Sequence, residues 1–190
     1  RQYLDDGTPI GDGNPLLKDV KLRQAIGWAI DRQALVDKVL GGDGTVGSTI
    51  IPPIYSLLHT EPANPVTYDP EKAKQLLDAA GYTEGPDGVR QTADGKKLSF
   101  RLFARSDSDN SVKSVEFIQG YLKAVGIETE VKTVSSDALT EIIGQGNFEF
   151  MARCGIASVM GVVTCFMLTA LLGSWARRHV EPFWSTFSDF

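Results

Sequence analysis

Residues 14–42 read NPLLKDVKLRQAIGWAIDRQALVDKVLGG, two helices with almost no linker between them. Asp19 is placed to cap the first, and Leu22, Ile26 and Ala29/Ile30 recur on one face at helical spacing. Asp31 is placed to cap the second. Leu35, Val36, Val39 and Leu40 form its apolar face until Gly41 and Gly42 stop it.

Around this pair, length and composition narrow the field. At 190 residues the chain can bury one ordinary domain core, and 42% hydrophobic with 9% aromatic residues argues against wholesale disorder. The net charge of −5 comes without a Lys/Arg cluster, which argues against a nucleic-acid partner held through phosphates. Residues 1–13 are polar and Gly-rich, with no signal-peptide pattern, and the chain opens on Arg1. We read this as a fragment or a processed form. Composition changes sharply near residue 150. Cys154, Cys165, Met151, Met160 and Met167 all fall after it, and none of either type before it. Residues 1–150 carry net charge −6 and residues 151–190 net +1. Three parts follow: a polar lead-in at 1–13, a folded part at 14–150 and an atypical apolar tail at 151–190.

Residues 41–53, GGDGTVGSTIIPP, form a Gly-rich loop without the GK[ST] ending of a phosphate-binding P-loop, so they read as a helix stop and a loop. Residues 68–82, YDPEKAKQLLDAAGY, signal a helix strongly. Asp69 is the N-cap, Pro70 sits at the first position, Glu71 favours the positive end and Gly81 closes it. Its buried stripe is Ala73, Leu76, Leu77 and Ala80. Two turn signals follow at Asp87-Gly88 and Asp94-Gly95, the second suggesting a hairpin.

A β-α-β unit comes next. Leu98, Phe100 and Leu102 line one face of a strand and Phe103 the other, as in a strand covered by helices on both sides. Residues 111–125 supply the crossover helix, striped by Val115, Ile118, Leu122 and Val125 and ended by Gly126. Residues 127–134 form the second strand, with Ile127, Thr129, Val131 and Thr133 on one side. A crossover of this length makes the strands parallel and the connection right-handed. Ser135 or Ser136 then caps a short helix through Ile143, and residues 144–150 lead into another strand.

In order, LRQAIGWAIDRQALVDKVL, DPEKAKQLLDAAGY, DGKKLSFRLF, an amphipathic helix, VGIETEVKTV and QGNFEF resemble the second lobe of the solute-binding proteins, family 5, that serve peptide and nickel ABC importers. The resemblance covers about residues 14–150. It implies an α/β fold, a partial second lobe of a two-lobed periplasmic-binding-protein-like fold of type II. It further implies a ligand bound between two lobes that close by hinge motion, and docking of the closed form on membrane permease subunits. A peptide or similar small solute is the implied ligand, held in peptide-binding members largely through backbone hydrogen bonds. The implied place of work is the periplasm or the extracytoplasmic cell surface, with anchoring, where there is any, by an N-terminal lipid. Such members carry a carboxylate for the peptide's amino terminus just after the strand that QGNFEF begins. Here MARCGIASVMGVV replaces the usual Trp-containing, Asp-Pro-rich stretch, so that role passes to no residue of this chain.

Open parallel sheets bind ligands beyond the carboxyl ends of their strands. The candidate ligand-binding residues are therefore Arg105, Ser106 and Asp107 after the first strand of the unit, and Ser135, Ser136 and Asp137 after the second. The plain alternative for each is a loop or cap residue. Trp28 and Tyr55 could line an apolar pocket, although Trp28, between Ile26 and Ala29, is better placed for core packing.

The tail reads as an apolar helix. Residues 154–176 are uncharged, flanked by Arg153 and by Arg177 and Arg178, and as a helix would span roughly 34 Å, enough for a bilayer core of about 30 Å. They are a candidate membrane contact. The abrupt change of residue usage also fits a frame-shifted or fused segment, which we prefer. Cys154 and Cys165, eleven apart, could not be bridged within one helix.

No catalytic, metal or cofactor constellation appears. His59 and His179 are the two histidines, and neither has a nucleophile or ligand set at a recognisable spacing. Glu128 and Glu130 alternate along a strand as a solvated face. The expectation is a non-enzymatic, cofactor-free binding component of an importer, weak in ligand binding by itself. The alternative is an interaction module anchored in the membrane by its tail.

Overall fold

The computed structural model describes residues 6–8, 11–49, 51, 56–157 and 162–167. Tyr55, His179 and the tail beyond Met167 lie outside the described residues.

A short 3-10 turn, Pro15–Lys18, leads into α1, Val20–Ala29, and α2, Arg32–Val39. Both helices start at the expected caps. Asp19 accepts the Lys21 amide and Asp31 the Ala34 amide, satisfying N–H groups that the first turn leaves without a helical partner. Leu22, Ala25, Ile26 and Ala29 of α1, and Leu35, Val36 and Val39 of α2, are buried. The third helix, α3, Pro70–Ala79, is capped by Asp69, whose carboxylate accepts the Lys72 amide at 2.9 Å. It buries Ala73 and Leu77, and α1 is its main neighbour.

Both turn signals make hairpins. β1, Thr83–Glu84, pairs antiparallel with β2, Arg90–Gln91, around Asp87-Gly88. Gln91 then bridges to Lys97 around Asp94-Gly95. Arg90 fastens this region to its neighbours. Its buried guanidinium donates to the Tyr82 carbonyl at 2.7 Å, the Val125 carbonyl at 3.1 Å and the Asp78 carboxylate.

The parallel unit is β3, Ser99–Arg105, then α4, Asp109–Ala124, then β4, Glu128–Val134. Helix α4 begins two residues earlier than expected, because Ser108 caps it by accepting the Ser111 amide. α5, Ser136–Gln145, is capped by Ser135, and Gly146 ends it in a left-handed conformation, φ 71°. The following strand, β5, Phe150–Ala157, therefore starts only at Phe150, and β6, Val162–Met167, folds back on it.

The sheet order is β4-β3-β5-β6, parallel except for the antiparallel edge strand β6. One face carries the larger core, in which α1, α2, α3 and α4 cover Phe100, Leu102 and Ala104 of β3 and Phe150 and Ala152 of β5. The Phe100 and Phe150 rings meet edge to face at 5.2 Å. The other face is smaller, where Phe103 and Met151 pack against Leu139 of α5. Trp28 is partly buried against the larger core, with the Lys72 ammonium 3.5 Å from its ring centre.

The tail departs from expectation. Residues 154–157 and 162–167 are strand, where the uncharged run suggested helix, and no helix among the described residues is long and apolar enough to cross a membrane. β-branched and aromatic residues at Val162, Val163, Thr164 and Phe166 suit a pleated ladder against β5, and an apolar run alone does not distinguish the two. In this register Cys154 is the partner of Cys165, so the spacing argument built on a helix does not apply.

Candidate ligand-binding site

The two predicted loops lie side by side at the carboxyl end of the sheet. β3 and β4 are paired along their whole lengths, ending at Arg105 opposite Val134. The pairing continues one step further, where the Ser106 amide donates to the Val134 carbonyl at 2.8 Å. Residues 105–107 and 135–137 thus leave the sheet from adjacent strands in the same direction.

Their side chains do different work. Arg105 donates to both carboxylate oxygens of Asp107, at 3.0 and 2.9 Å. That contact holds the Asp107 carboxyl below the usual carboxylate range. Ser106 and Asp107 are exposed. The Ser135 hydroxyl accepts the Ala138 amide as the cap of α5, and the Ser136 carbonyl accepts the Thr140 hydroxyl. Asp137 is exposed in the first turn of α5, where a negative charge suits the helix dipole.

Ser111, whose sequence signal is that of a helix residue alone, holds this end of the sheet together. It is fully buried. Its hydroxyl accepts the Arg105 amide at 2.9 Å and donates to the Ala152 carbonyl at 2.6 Å. One side chain therefore ties the end of β3, the start of α4 and β5. Only its place on the inner face of the first turn of α4 distinguishes it in the sequence.

The strand order adds a further distinction. From β3 the chain crosses to β4 on one side, then returns through α5 to β5 on the other side of β3. The direction of winding reverses between β3 and β5, and crevices of open α/β sheets form at such reversals. The loop at 105–107 lies at that reversal, whereas the loop at 135–137 lies one strand away.

A second polar cluster sits before β5. The Arg101 guanidinium donates to Glu149 at 2.7 and 2.8 Å and to Asp12 at 2.7 and 3.0 Å. Glu149 is buried, and its hydrogen bonds, with those of Asp12, push the Arg101 pKa up still further, so this arginine stays charged. The Asp12 amide donates to the Asn147 side chain at 3.2 Å. The lead-in is thereby strapped across the loop between α5 and β5.

An open α/β unit with adjacent loops at the carboxyl end of a parallel sheet whose winding reverses fits the type II periplasmic-binding-protein fold. The comparisons make the class specific. Residues 6–167 match the family model described as bacterial extracellular solute-binding proteins, family 5 middle, and the chain belongs to that family. The oligopeptide-binding protein AppA of Bacillus subtilis is 36% identical over 143 residues, covering 73% of this chain and 26% of that protein. Its structure in complex with a nonapeptide superposes with a TM-score of 0.69 at 34% identity, over 76% of this chain and 30% of that one. The glutathione-binding protein GsiB of Salmonella choleraesuis is 32% identical over 134 residues, 70% of this chain and 23% of that protein. NikZ of Campylobacter jejuni, in complex with Ni(L-His), gives a TM-score of 0.60 at 30% identity, over 65% of this chain and 24% of that one. The chain spans about a quarter of the length of the curated relatives it matches. Members of this family are periplasmic or extracytoplasmic.

Proposed function

We propose that this chain forms part of the second lobe of the substrate-binding component of an ABC importer and takes a peptide or a similar small solute. The family match over residues 6–167 carries this reading, since it spans the whole reversed sheet and both candidate loops. Arg105, Ser106 and Asp107 are the candidate ligand-facing residues at the crevice, with Ser135, Ser136 and Asp137 beside them. The role is binding rather than catalysis, as it is for the relatives. Docking on the importer's permease subunits follows when the ligand-bound lobes close.

Peptide is favoured over a metal chelate, because the relative with the highest identity among those described binds oligopeptide. Joined to the first lobe of AppA, the chain is expected to bind short peptides of mixed sequence in the micromolar range or tighter by calorimetry. Heat-silent titrations across a diverse peptide pool would remove the reading. The membrane-anchored alternative has the uncharged run at 154–176 in its favour and the strand geometry of β5 and β6 against it. Carbonate washing of membranes separates the two, since only an anchored chain stays in the pellet.

A further inference from the structure

His59 lies between α2 and α3 with its ring 10% exposed. Its Nδ1 is 2.7 Å from the Ile51 carbonyl oxygen and 3.3 Å from Thr49 Oγ1, and its Nε2 is 2.8 Å from Glu61 Oε1. The Thr49 hydroxyl donates its own hydrogen to the same Ile51 carbonyl at 2.8 Å, so it turns a lone pair to the ring. Nδ1 therefore faces acceptors, and Nε2 faces a carboxylate. A neutral imidazole carries a single N–H, and either tautomer would set one nitrogen lone pair against an acceptor. The imidazolium donates from both nitrogens and satisfies every group in the cluster.

We propose that protonated His59 is a proton-operated clamp that ties Thr49 and Ile51 to residues 59–61, closed at mildly acidic pH and released as the pH rises. Glu61 is the charged group facing the ring among the described residues, and the Ser48 side chain also hydrogen-bonds that carboxylate. The Glu61 hydrogen bond first, and then the Ile51 carbonyl, raise the His59 pKa above its ordinary 6.5. The same contact lowers the Glu61 pKa below its ordinary 4.5. The histidine's contribution is thus complete below about 6.5 and is lost as pH rises through the raised value. The carboxylate's contribution is complete above about 4.5 and is lost as pH falls through the lowered one. Between these limits the clamp is fully formed. It fixes the backbone beside Leu57 and Leu58, which are 97% and 69% exposed. The inference stands apart from the importer reading, because it rests on local donor and acceptor chemistry alone.

Proton NMR titration of the 190-residue chain tests it, with His59→Gln distinguishing this ring from His179. A His59 midpoint above 6.5 is expected, moving down in Glu61→Gln, with protection of the Thr60 and Glu61 amides falling as pH passes the midpoint. A midpoint at or below 6.5, or one that Glu61→Gln leaves in place, would overturn the proposal.

Discussion

Arg101 shows how much of this lobe depends on single side chains. Its guanidinium joins Glu149, 48 residues later, to Asp12, 89 residues earlier, and its own amide also donates to Glu149 at 3.1 Å. Replacing it by methionine keeps most of the packing but leaves the buried Glu149 carboxylate without its cation. Removing one partner of a buried pair costs about 3–5 kcal/mol, and the low end applies because Arg101 is a quarter exposed. Arg101→Met is therefore expected to lower unfolding stability by about 3 kcal/mol in urea titrations, with Asp12→Asn costing much less because that carboxylate is mostly exposed. In the sequence, Arg101 is a polar residue between Phe100 and Leu102 in an apolar strand. Nothing local marks its partners. Ser111 is similar, because its acceptor on Ala152 belongs to a strand that pairs with β3 only in the folded sheet.

Among the helices and strands, helix starts are far easier to read from sequence than strand neighbours. Asp19, Asp31 and Asp69 cap the helices expected of them, and of Ser135 and Ser136 it is Ser135 that caps α5, because capping uses atoms within three residues. Gly126 links this local logic to tertiary packing. It ends α4 with φ 83°, and a Cβ there would lie 2.8 Å from Arg90 Cγ and 3.2 Å from the Gly88 carbonyl oxygen. The left-handed conformation alone costs a side-chain-bearing residue about 1–2 kcal/mol. Gly126→Ala must also displace Arg90, which fastens β2 to the ends of α3 and α4. A loss of about 2 kcal/mol or more is expected in thermal or urea unfolding. In β5 and β6 the local signal misled. Their apolar residues satisfy helical and extended patterns alike, and a paired ladder resolved the ambiguity.

In the proposed binding role, the sheet supplies one wall of a crevice. A ligand held by this wall alone buries only part of its surface and must still lose its translational freedom. The 190-residue chain is accordingly expected to bind mixed-sequence peptides too weakly for calorimetry, in contrast to the two-lobe hybrid with AppA. A tight complex with the chain alone would place the whole binding surface within these residues. The capped starts of α1, α2 and α3, most of the apolar faces, the parallel β-α-β unit and the position of both candidate loops are legible in the sequence, because caps, glycines and short periodicities act within a few residues. The sequence located residues 105–107 and 135–137 equally well as strand ends. That β5 returns on the far side of β3, so that the first loop borders the reversal and the second does not, follows from strand pairing in the folded sheet. The same holds for the Arg101 cluster, the Ser111 tie and the pairing of β6. Those choices rest on contacts between distant segments, which the packing of helices on both faces of the sheet brings together and no local pattern encodes.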